Sequence, residues 1–384
     1  MGKSKRTKME KSKKKDLNQS LITHPSTNIV DTLQLYPNAS PKVEKFHWDY
    51  VLQISDYLST QATIVRMLWT GEYPKVESLT ETMKSYFNAL HGFLLCFHGS
   101  TLGAGPTLSS VIHASVKQIV DSSFRLFQGS VSLYEGSYEK GKKPSIPQLS
   151  GAVLEAWSSF KKVPITNLVA IGNAISQVAV IMKDVLNEMK KVKPACPLSE
   201  CEDFSPEQIE VAKMVADITS EAMMVIIVIR VITRTMEEEH PKENSRFVDS
   251  LEKLLKLCQR TGELIEELGT CVYYPPLKID KMIQTVQVLE GNLDEVETQV
   301  EHMKRSSHAF PGVCRKLRDA IKLMEVEMDK RKHLNQILVS HQNTIYNTLQ
   351  LFDPTASPTE EKVNWNDVLK CLINSLFPKQ ASID

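Results

Sequence analysis

The segment SPEQIEVAKMVADITSEAMMVIIVIRVITRTMEEEHP, residues 205–241, leaves little choice of fold. Val211, Val215, Ile218, Ala222, Val225, Ile229 and Ile232 recur with alternating spacings of four and three. That is the period of one face of an α-helix. Ser205 stands at the N-cap position, Pro206 at the first helical position and Gln208 where a capping box needs its return partner. Pro241 is a stop. The middle of the segment, AMMVIIVI, is apolar on nearly every side, which predicts a central place in a bundle. Arg230 interrupts that run, and a bilayer span needs about 20 apolar residues. No transmembrane segment and no membrane partner are expected.

The same period returns along most of the chain, divided by proline and glycine. Helices are predicted from about 48 to 70, 75 to 97 and 106 to 133. Others follow over 149–163, 165–192, 244–272 and 277–306, and over 313–352 as one helix or two joined. Val363–Phe377 reads as a short terminal helix after the linker DPTASPTEEK. No stretch shows the alternation of a strand. The expected class is all-α, with two packed helical bundles of long antiparallel helices. The organisation expected is a flexible basic arm over 1–45, an N-terminal bundle over 46–194, a linker over 195–204 and a C-terminal bundle over 205–384.

Charge excludes some functions. Lysine plus arginine and aspartate plus glutamate both number 46, so the chain as a whole is no polyanion binder. The basic charge is concentrated at the start, in Lys3, Lys5, Arg6, Lys8, Lys11, Lys13, Lys14 and Lys15. This cluster is a candidate nuclear import signal. It has no interleaved aromatic residues on which bases could stack, so no specific nucleic acid is expected. The seven cysteines are scattered and no apolar leader precedes them, which fits a reducing compartment.

Motifs for chemistry are weak. Gly103–Thr107, GAGPT, lacks the spacing of a phosphate loop and follows no strand, so it reads as a turn that starts a helix. His91, Cys96 and His98 find no further ligand at metal-like spacing. Cys196 and Cys201 form only a CxxxxC pair. His113, Asp121, Ser122 and Ser123 have nothing that fixes a nucleophile beside a base. The expectation is a non-enzyme with no catalytic residue, no cofactor and no metal.

The stretch TCVYYPPLKID, residues 270–280, gathers reactive-looking side chains, but two adjacent prolines end one helix and permit the next. It reads as a corner. A helical bundle without chemistry acts through surface, and helices bind helices through apolar grooves. The candidate partner surface is Leu251, Leu255, Tyr273, Tyr274, Pro275 and Pro276.

Four stretches carry a resemblance: TIVRMLWTGEYPKVESLTETMKSYFNALHGFLLCF, TLSSVIHASVKQIVDSSFRLFQ, GAVLEAWSSFKKVPITNLVAIGNAISQVAVIMKDVLNEMKK and the YPP of Tyr274–Pro276. In this order they resemble the cyclin-D-binding family, also described as Grap-and-cyclin-D-interacting proteins, over about residues 48–290. Where those proteins carry an acidic insertion between halves, this chain has only CPLSECEDF. The resemblance implies an all-helical, non-enzymatic regulator found in nucleus and cytoplasm. It implies D-type cyclins or helix-loop-helix transcription factors as partners, with cell-cycle progression and transcription held back. The rival reading from the residues is a cytoskeletal or adhesion-type helical-bundle scaffold.

Overall fold

The computed structural model describes residues 48–70, 73–100, 103–137, 145–192, 204–239, 244–273, 277–303 and 307–350. The basic arm, nearly all of the 195–204 linker and the segment Val363–Phe377 lie outside the described residues. Among the described residues there are nine helices and no strand. They are α1 Trp48–Leu68, α2 Val76–Ser100, α3 Pro106–Glu135, α4 Ile146–Phe160, α5 Asn167–Lys191, α6 Pro206–Glu238, α7 Ser245–Tyr273, α8 Ile279–His302 and α9 Phe310–Gln350. The all-α bundle expectation is met, and the last long segment is one helix rather than two.

Helix ends follow the punctuation. Gly136, in the left-handed region at φ +69°, closes α3, and the Ser137 N–H donates to the Ser132 carbonyl at 3.0 Å. At the start of α6 the capping box forms in both directions. The Ser205 N–H donates to Gln208 Oε1 at 3.0 Å, and the Gln208 N–H to Ser205 Oγ at 3.2 Å.

The helices form two compact units. Among the described residues the first comprises those up to Ser176 together with Arg230–Lys256. In it α3 packs on α4, α1 on α2 and α1 on α4. Its core is aromatic. Phe93, Trp157 and Phe160 meet edge to face with centroids 4.9–6.0 Å apart, and Phe87 lies 4.9 Å from Phe127. Tyr86 is fully buried there, its hydroxyl 2.7 Å from Ser123 Oγ. Burial pushes the phenol up, while the hydrogen bond with Ser123 pulls the other way.

The second unit comprises Gln177–Ile229 and the described residues from Leu257 onward. Here α8 packs on α9. The core is aliphatic and sulfur-rich, with Val215, Ile218, Cys258, Ile265, Leu268, Met282, Val286 and Met324 at most 0–1% exposed. Burial pushes the Cys258 thiol up to about 12. Asn292 is the polar exception. Its Nδ2 donates to the Leu257 carbonyl at 3.1 Å and to Thr261 Oγ1 at 2.9 Å, which satisfies it inside the core.

Two helices differ from expectation. The middle of α6 is not covered all round, because Met224, Ile227 and Val231 are 39–55% exposed along one face. Composition alone could not choose which side of an all-apolar stretch meets water. Helix α5 is long and apolar enough to cross a membrane by length and composition. Its apolar side chains include Ile171, Ile175 and Met182, all at 0% exposure, and a bundle helix with a fully buried face passes the same test.

Candidate partner-binding surface

The phosphate-like GAGPT turn is already filled. The Gly105 N–H donates to Asn167 Oδ1 at 2.6 Å, and Asn167 Nδ2 donates to the Gly103 carbonyl at 3.2 Å. Glu252 of α7 then holds the first turn of α3, accepting from the Thr107 N–H at 2.9 Å and from Thr107 Oγ1 at 2.7 Å. A carboxylate therefore occupies the positive end of the helix, where a phosphate would bind. The fit is close. A Cβ on Gly105 would lie 2.6 Å from Val248 and 2.9 Å from the Glu252 carboxylate. Among the described residues, no group of three or more His, Cys, Asp or Glu side chains is placed to hold a metal ion.

The sequence-predicted surface residues are dispersed. Leu251 and Leu255 are 0% and 3% exposed, in the interior of the first unit. Tyr273 is half-buried at the end of α7, edge-on to Phe204 at 5.8 Å. Tyr274, Pro275 and Pro276 lie outside the described residues, as do the basic residues from Lys3 to Lys15. The corner falls where the prolines place it, between the end of α7 at Tyr273 and the start of α8 at Ile279. It is anchored from α6, because Gln208 Nε2 donates to the Val272 carbonyl at 3.0 Å.

A groove of about 830 Å³ opens beside that corner. Leu277–Lys281 form one wall and Lys332, Asn335, Gln336, Val339, Ser340 and Asn343 of α9 the other. A smaller groove of about 410 Å³ shares Leu277, Ile279 and Asn335, and is closed by Ser205, Gln208, Arg331 and Leu334. The charges at the rim are paired. Lys332 meets Asp280 at 2.7 Å and Lys281 meets Glu267 at 2.9 Å. These hydrogen bonds hold both ammonium groups above the ordinary lysine range. Arg331 bridges Glu210 at 2.5 Å and Glu327 at 3.1 Å. What the groove offers is amide and hydroxyl groups around Leu277, Ile279 and Val339, which suits a peptide or helix rather than a small ion.

The groove exists because α9 outruns its cover. Phe310, Cys314, Leu317, Ile321, Met324 and Met328 repeat at four-three spacing and are 0–3% exposed. The pattern carries on, but every residue from 332 to 340 is exposed. Leu334 and Leu338 are 64% and 65% exposed, Val339 and Ile345 53% each, and Tyr346 65%. At 3.6 residues per turn these five lie within an arc of about 140°. Sequence reasoning saw the helix but missed this surface. The available signal was a hydrophobic period longer than the helix that faces it.

Two family models match the chain. One, described as Grap2 and cyclin-D-interacting, N-terminal, matches residues 50–195. The other, described as Grap2 and cyclin-D-interacting, C-terminal, matches residues 175–298. No curated protein matches the chain. Membership supports a non-enzymatic, protein-binding regulatory role. Both models match in order over 50–298, and the chain belongs to the Grap2 and cyclin-D-interacting family.

Proposed function

We propose that this protein is a negative regulator of cell-cycle progression that acts by binding a D-type cyclin or a helix-loop-helix transcription factor. The observation that carries the reading is the ordered match of both halves of the family over residues 50–298. The groove between Leu277–Lys281 and α9 is the docking surface in this reading. An amphipathic partner helix laid along it would cover Val339 and Tyr346, which are exposed in this chain. Binding there needs no chemistry, only burial of apolar area with the flanking amides satisfied.

The test is a titration of the purified full chain with purified D-type cyclin and, separately, with a helix-loop-helix factor. Saturable binding to one of them with a Kd of about 1 μM or tighter is expected. Failure to bind either class overturns the partner assignment. The basic residues Lys3–Lys15 are proposed to carry nuclear import. Removing residues 1–15 is expected to shift a fluorescent fusion from nucleus to cytoplasm, and unchanged nuclear signal contradicts that role.

A further inference from the structure

Helix α9 carries two apolar faces. The first, from Phe310 to Met328, is sealed in the second unit. The second lies about 120° away around the helix and is open. On it Leu323, Leu334, Leu338 and Ile345 are 65%, 64%, 65% and 53% exposed, and Val326 and Ile337 flank them. From Leu323 to Ile345 the strip is about 33 Å long, and an apolar strip in one line marks an interaction site.

The order of the strip selects its occupant. Positions 323, 327, 330, 334, 338, 341 and 345 follow one another at four, three, four, four, three and four. These spacings read the same in both directions about Leu334. A helix with that symmetry complements a second copy of itself run the opposite way, which is the condition for an isologous two-fold contact. The eleven steps from Leu323 to Leu334, repeated from Leu334 to Ile345, give about 3.67 residues per turn. That is close to the helix's own period, so the strip hardly drifts over its length.

Charge sets the direction. Lys330, Arg331 and Lys332 are consecutive, whereas residues 333–348 contain no Asp, Glu, Lys or Arg. A parallel pair in register sets the basic triplet against its own copy, a like-charge contact. An antiparallel pair sets it against Gln336, Ile337 and Leu338, with the methylene stem of Lys330 along Leu338.

We infer that two copies of this chain associate through α9, antiparallel about a two-fold axis at Leu334. Leu323 of one copy lies against Ile345 of the other, and the two Leu334 side chains meet on the axis. The polar positions 327, 330 and 341 cost affinity and hold the register. One helix per copy makes an interface at the small end of specific ones, below about 1,200 Å². The dimer is therefore reversible, with a Kd of about 10 μM. Lys332, Gln336, Val339 and Asn343, which line the groove beside the corner, lie about 170° from the strip around α9. The inference does not depend on which partner the groove binds.

Sedimentation equilibrium of the full chain from about 1 to 200 μM, a range that brackets this Kd, tests the dimer. The average mass is expected to rise from one chain toward two. Leu334→Asp sets two carboxylates face to face on the axis, and Ile345→Asp charges each end of the strip. Each is expected to weaken the dimer at least tenfold, with circular dichroism showing the bundle retained. On mild oxidation Leu334→Cys is expected to link to its own copy and Leu323→Cys only to Ile345→Cys, with the wild-type chain oxidised alongside to report its own thiols. A mass of one chain at every concentration overturns the inference. So does a dimer that both Asp variants leave intact, and so does Leu323→Cys linked to itself, the mark of a parallel pair.

Discussion

The two halves of α9 share one backbone, one period and opposite surroundings. From Phe310 to Met328 the apolar seam is sealed against the second unit, whereas from Leu334 to Tyr346 the apolar residues lie open. Nothing in the local pattern separates them. The difference lies in what faces each half: α8 begins only at Ile279, and α9 runs on beside the corner that precedes it. A helix longer than its partner thus exposes an unsatisfied apolar face, and in a binding protein that face is where function is to be sought.

Charge insertion gives the largest separation between the halves. Met324→Asp places a carboxylate at a position with 0% exposure and is expected to cost about 4 kcal/mol or more, or to unfold the second unit. Val339→Asp, at 53% exposure, is expected to stay within about 0.5 kcal/mol of wild type. Chemical denaturation checks both, and similar losses at the two positions would break the comparison.

Covered and uncovered helix ends differ in the same way. The start of α3 is held by Glu252, through the Thr107 N–H and hydroxyl. Glu252→Ala is expected to cost about 1–3 kcal/mol, because both donors lose their acceptor at a nearly buried site. Glu252→Gln, which keeps one acceptor, is expected to lose less, and a reversed order in denaturation midpoints would contradict the clamp.

Thiol chemistry sharpens the contrast at the smallest scale. Burial pushes the Cys314 thiol up to about 12, and Glu297 beside it pushes the same way. Cys314, at 0% exposure, is expected to resist alkylation in the native state, whereas Val339→Cys, at a position 53% exposed, reacts readily; intact-mass labelling reads both. The pH dependence has a definite sign. The unfolded thiol ionises near pH ~8.5, so above that pH the unfolded chain releases a proton that the folded chain keeps. The contribution of Cys314 to stability is whole below that pH and is lost as pH rises toward about 12. The stability gap between wild type and Cys314→Ala is therefore expected to narrow on going from pH 8 to pH 10.

Much of the fold was legible in the sequence because helix ends are local chemistry. Pro106, Pro206 and the Ser205–Gln208 pair announce starts that the structure keeps. The surface was less legible, because exposure is decided by partners far away in the chain. Leu251 and Leu255 share the helical period with every core residue, and only the packing shows them inside. The Asn167 and Glu252 clamps on the GAGPT turn join residues 62 and 145 positions apart, a pairing no local motif records. The α7–α8 corner drew notice for its tyrosines and prolines, but the groove beside it is made by Leu277, Ile279 and α9.

The central claim is that this protein works by docking another protein on the groove between Leu277–Lys281 and the open part of α9. The most direct measurement compares wild type, Val339→Asp and Leu277→Asp for affinity to the cyclin or helix-loop-helix partner, with denaturation curves run on the same samples. Binding weakened at least tenfold in both variants at unchanged stability is the result expected. Unchanged affinity in two folded variants would contradict it.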